Sequence, residues 1–114
     1  MTDIYHNPRC SKSRQTLALL AEKGVTPHII DYLNNPPSAD TLREILTQLE
    51  FTPRDLLRQG EVVYRELGLK EAVLSDEDLI KIMIDNPKLI ERPIVIHNGR
   101  AKVGRPPETV LALF

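Results

Sequence analysis

The sequence has a single cysteine, Cys10, so no disulfide can close within the chain. That usage fits a reducing compartment. Any redox chemistry at Cys10 needs a partner thiol from outside. The chain also lacks a basic excess: 15 Lys and Arg stand against 16 Asp and Glu, for a formal net charge of -1. A general nucleic-acid binder normally carries surplus positive charge, which argues against that class. Long apolar runs are missing too. The longest, LALLA at residues 17–21, falls far short of a membrane span. The opening MTDIYHNPRC holds no apolar segment that would serve as a signal peptide. These absences predict a cytoplasmic protein with no membrane association. No repeat or low-complexity tract breaks the chain.

What is present reads as one globular domain. The chain has 114 residues, 41% hydrophobic and 27% charged. Residues 3–6, DIYH, predict a first strand. From Ser11 to Glu22 apolar residues recur at helical spacing, and Gly24 is a plausible stop. HIIDYL at residues 28–33 is β-branched and aromatic and precedes Asn34-Asn35-Pro36-Pro37, which predicts a strand. A helical block follows. Leu42, Ile45, Leu46 and Leu49 share a face over residues 38–49. Thr52-Pro53-Arg54-Asp55 is a compact helix start, and Leu56, Leu57 and Arg58 are expected on that short helix. Ser75 to Asp78 repeats the cap-then-acid spacing, opening a helix to about Asn86. PIVIH, Asn98-Gly99 and RAKVG then read as a hairpin. Pro106 and Pro107 open a last short helix carrying Val110, Leu111 and Leu113. The order β-α-β, helical block, β-β-α predicts an α/β fold. Its first strands form a parallel pair, and the hairpin adds antiparallel strands to make a small mixed sheet.

The chemistry gathers at NPRCSKSR, residues 7–14. A free thiol has a pKa of about 8.5, and only the thiolate is a good nucleophile. A helix beginning at Ser11 aims free N–H groups and a partial positive charge at the sulfur. Arg9, Lys12 and Arg14 add charge, and Ser11 and Ser13 add hydroxyls. Such settings lower a cysteine pKa to roughly 3.5–7.5. His6, four residues upstream, is placed to hydrogen-bond into the same loop. The same parts make an anion site in which Arg14 is a candidate holder. Spacing removes two known frameworks. Position 13 is Ser, so C-x-x-C is absent; position 16 is Thr, so the phosphatase pattern C-x5-R is absent. Three further arginines suit a tetrahedral oxyanion, because a guanidinium offers two parallel donors and keeps its charge. They are Arg58 on the short capped helix, Arg92 before Pro93, and Arg105 before Pro106. The Arg92–Pro93 peptide is a candidate for the cis form.

YHNPRCSKSRQTL, DYLNNPP, LLR, YRELGL, NPKLIERPIV and GRPPE together resemble the ArsC family, the glutaredoxin-coupled arsenate reductases. The resemblance runs along essentially the whole chain and is strongest to the branch with an R-C-S-K-S-R centre. It implies a thioredoxin-like fold over residues 1–114 with a helical insertion at about 38–88. It implies that the Cys10 thiolate attacks arsenate and that glutathione and glutaredoxin resolve the adduct. Glutathione would enter as a co-substrate, with no tightly bound cofactor and no metal. It places the oxyanion-holding arginines at Arg58, Arg92 and Arg105, the histidine that supports the thiolate at His6, and a thiolate-stabilising serine at Ser13. One departure stands out: family centres resembling Cys-Gly-Thr-Ser are replaced by Cys10-Ser11-Lys12-Ser13. Two other readings stay open. One is a glutathione-dependent thiol oxidoreductase without physiological arsenate activity. The other is a regulator resembling Spx, which binds RNA polymerase.

Overall fold

The computed structural model describes residues 1–114. It divides into two compact units, one made of Met1–Asn35 with Arg92–Phe114, the other of Pro36–Glu91. The first unit holds the whole sheet. Its strands are β1 (Thr2–Tyr5), β2 (His28–Ile30), β3 (Ile94–His97) and β4 (Arg100–Val103), in the order β2-β1-β3-β4. β1 pairs in parallel with β2 and antiparallel with β3, and β3 pairs antiparallel with β4. This is the mixed sheet expected from the sequence. Helix α1 (Ser11–Glu22) forms the crossover between β1 and β2.

Ile4, Leu20, Val95, Val110 and Leu113 form one buried cluster, with Leu17 and Val25 packed on it. Each such side chain stabilises the fold by about 1.5–3 kcal/mol. α1 stops where the sequence puts its glycine. Gly24 takes a φ of +76°, its N–H donates to Ala21 O, and Val25 N–H donates to Leu20 O. That double bond is a Schellman closure, which favours glycine because a Cβ is strained at this φ. The hairpin turns on Asn98 and Gly99, both at positive φ (50° and 79°), as a type I′ turn requires.

Two expectations for this unit change. β2 ends at Ile30, not at residue 33. Asp31 ends it: its carboxylate accepts from Asn34 Nδ2 at 2.6 Å and its carbonyl from Asn35 N–H at 2.9 Å, curling the chain away from the sheet. The last helical segment, Pro107–Leu113, is a 3-10 helix in which Pro107, Val110 and Leu113 are the buried positions. Three residues per turn align those three and leave Leu111 only partly covered.

The second unit contains α2 (Ala39–Leu49), α3 (Pro53–Leu56), α4 (Val62–Glu66), α5 (Asp76–Asp85) and a 3-10 turn at Pro87–Leu89. α2 buries the predicted Leu42, Ile45, Leu46 and Leu49. Thr52 and Ser75 each make the expected capping box, with Asp55 and Asp78 as reciprocal acids. α3 is shorter than predicted, so Leu57 and Arg58 lie beyond it. Leu57 is extended and forms an antiparallel bridge with Ile90. Arg58 N–H donates to Leu89 O at 2.8 Å and Glu91 N–H to Leu56 O at 2.9 Å. This backbone pairing takes over the groups that a further helical turn would have used.

Candidate active site

Cys10 occupies the N-cap of α1, with extended backbone (φ -92°, ψ 123°). It is only partly buried, as a nucleophile must be. No acidic residue lies in the first turn of the helix. Burial pushes the thiol up. The Ser13 N–H, a hydrogen bond from the Arg92 guanidinium, the Arg92 charge and the Lys12 N–H together outweigh it, so the pKa lies below that of a free thiol. Arg105 NH2 approaches the sulfur at 3.5 Å, and its Nε donates to Arg92 O at 2.8 Å.

The hairpin explains why these two arginines meet. Register pairs His97 with Arg100 and Ile94 with Val103, and Gly104 N–H donates to Pro93 O at 2.9 Å. Counted on past the end of the ladder, the same register sets Arg92 opposite Arg105, each six residues from the Asn98-Gly99 turn, and the Arg105 Nε bond to Arg92 O joins them. That symmetry was readable in the sequence, though not used there. Both arginines precede cis prolines, Pro93 and Pro106. Gly104 permits the close fit behind them. A Cβ there would lie 2.8 Å from Pro93 Cγ and would clash with Thr16 Oγ1 on α1.

His6 and Ser13 form a buried pair, Nδ1 to Oγ at 2.7 Å. Burial and the nearby Arg14 charge lower the His6 pKa, against a smaller opposing pull from Asp31. The ring is therefore neutral at neutral pH. Ser13 reaches the sulfur through its main-chain N–H, while its hydroxyl serves His6 and accepts the Asn7 N–H at 3.0 Å. The sequence reading missed Asn7. It is buried, its Oδ1 accepts Arg9 N–H, and its carbonyl accepts Cys10 N–H, each at 3.0 Å. An Asn two residues before a predicted loop amide is the signal that would have found it.

Arg14 braces the same loop, donating from NH1 to Pro8 O at 2.9 Å. Arg58 belongs to the helical unit. There its Nε lies 3.3 Å from Glu61 and its NH1 2.6 Å from Glu91. No three His, Cys, Asp or Glu side chains gather closely enough to hold a metal ion. The assembled groups favour a thiolate and, beside it, a tetrahedral oxyanion that two guanidiniums can grip.

Known proteins share this arrangement's sequence and fold. A protein of Escherichia coli (strain K12) called uncharacterized protein YfgD is 57% identical over 111 residues, covering 96% of this chain and 93% of that one. The arsenate reductase of Haemophilus influenzae is 47% identical over 112 residues, 97% of each chain. The solved structure of the arsenate reductase from Vibrio cholerae superposes with a TM-score of 0.96 at 49% identity, covering 99% of this chain and 97% of that one. The thioredoxin-like fold expected for the chain is thus present. The ArsC family model matches residues 5–113, a span that takes in Cys10 and every arginine discussed above, and the chain belongs to the ArsC family.

Proposed function

We propose that this protein is an arsenate reductase, an oxidoreductase that uses Cys10 as nucleophile. One observation supports the reading most: in a chain of this family, the Cys10 sulfur lies against both Arg92 and Arg105. The thiolate attacks the arsenic of arsenate, and a protonated oxygen leaves as water to give a thiol–arsenate adduct. Arg92 and Arg105 neutralise the oxyanion's charge as it approaches. Arg58 is the third proposed holder, oriented by Glu61 and Glu91. His6 and Ser13 keep the start of α1 in place beneath the sulfur.

The chain has no second cysteine, so two electrons must come from outside. We assign these to glutathione and glutaredoxin. Glutathione displaces a further oxygen from arsenic. The glutaredoxin thiolate then attacks the glutathione sulfur, the arsenic keeps the electron pair as Cys10-bound arsenic(III), and a mixed disulfide remains on glutaredoxin. Water then attacks that arsenic, the Cys10 S–As bond breaks with the thiolate as leaving group, and arsenite departs. Cys10 is regenerated without being oxidised. A reducing compartment with arsenate, glutathione and glutaredoxin supplies everything the cycle consumes.

The test is arsenate-dependent oxidation of NADPH in the presence of glutathione, glutaredoxin and glutathione reductase. Wild-type protein should turn over, Cys10→Ser should be inactive, and Arg58→Ala should raise KM for arsenate. A wild-type protein inactive at high arsenate would overturn the proposal. Ser11 and Lys12, which depart from the Cys-Gly-Thr-Ser pattern, motivate the second reading. In that case Cys10 remains an acidic thiol that reacts with glutathione-linked disulfides and leaves arsenate untouched.

A further inference from the structure

We propose that Asn7 is a positioning residue for the Cys10 thiolate, acting through the turn it closes ahead of α1. Three polar groups of this one residue are spent on residues 9, 10 and 13. Its Oδ1 accepts Arg9 N–H, its carbonyl accepts Cys10 N–H, and its N–H donates to Ser13 Oγ, each at 3.0 Å. The first two fix where Cys10 leaves the loop. The third fixes the loop against the residue whose main-chain N–H serves the sulfur. Cys10 holds the N-cap in extended backbone, so the sulfur's place over the helix start follows from the course of the backbone before it.

The side chain's part is separable from folding. Only the Oδ1 bond to Arg9 is lost on truncation; the two main-chain bonds remain available. Arg9 is exposed, so water can take its freed N–H. The protein therefore tolerates the change while the turn loosens. A looser turn lets the sulfur drift from its donors, and hydrogen bonds weaken steeply with angle and distance. The thiolate loses more by this than the thiol does.

The inference rests on Cys10 being the reactive group. Its test reads the thiolate directly, so failure to reduce arsenate would leave it standing. Ultraviolet thiolate absorbance is titrated for wild type, Asn7→Ala and Asn7→Ser, and alkylation by iodoacetamide is timed at neutral pH. Asn7→Ala should titrate at higher pH than wild type and alkylate several-fold more slowly. Asn7→Ser should fall between the two, because a serine hydroxyl accepts the N–H two residues on more weakly. A merely structural residue would lower thermal stability without moving the titration. A wild-type midpoint in folded Asn7→Ala overturns the proposal. So does failure of both variants to fold, which would make Asn7 a folding residue instead.

Discussion

Four donors meet at one sulfur: the N–H groups of Ser13 and Lys12 and the guanidiniums of Arg92 and Arg105. The two N–H groups and Arg92 favour the charged form, and burial opposes them. The two arginines are not equivalent. Arg92 supplies both a hydrogen bond and a charge effect to the sulfur, while Arg105 stands at 3.5 Å and is exposed. Replacing either by Ala should raise the pH at which Cys10 ionises, and Arg92→Ala should raise it more. Thiolate absorbance across a pH titration measures this. Equal midpoints in wild type and Arg92→Ala would contradict the geometry. Alkylation should also slow as pH falls through the Cys10 midpoint, since only the thiolate attacks. Cys10, His6 and Ser13 were readable from spacing because they lie within eight residues of one another. Asn7 is marked only by its two-residue spacing to the Arg9 N–H, a turn signal and not a catalytic pattern.

At the scale of elements, legibility followed the range of the forces involved. Caps and turns are local chemistry, so α1, the two capping boxes and the Asn98-Gly99 hairpin emerged with nearly their observed bounds. Arg58 was placed on α3 because LLR continues its helical pattern. A backbone bridge from Leu57 to Ile90, distant in sequence, decides otherwise. Gly104 was invisible for the same reason. Nothing near it in sequence says that Thr16 and Pro93 close on its α-carbon. Gly104→Ala should therefore cost about 1–3 kcal/mol, as overpacking does. Urea denaturation measures the loss. The added methyl should also push the Arg105 end of the hairpin outward, raising the Cys10 midpoint together with the loss of stability. Unchanged stability would show that Thr16 and Pro93 yield without strain.

Across the whole molecule, site and stability are linked through protons. The sheet-bearing unit is discontinuous, with Met1–Asn35 and Arg92–Phe114 enclosing the helical residues between them in the chain. The family resemblance implied a helical insertion at about 38–88, and Arg92 is the first residue of the sheet-bearing unit's second segment. Because the native state holds Cys10 below the free-thiol value of about 8.5, the unfolded chain binds more protons between the two midpoints. Stability then rises with pH across that window. It is fully present above about 9 and lost as pH falls through the native midpoint. His6, also lowered in the native state, adds a slope of the same sign below 6.5. Subtracting Cys10→Ser from wild type cancels the histidine and isolates the thiol. The difference in unfolding free energy between them should therefore grow in favour of wild type from the native midpoint up to the free-thiol value of about 8.5 and then level off. Urea melts at several pH values measure it. A flat difference would mean that the donors around the sulfur are as available in the unfolded chain as in the native one.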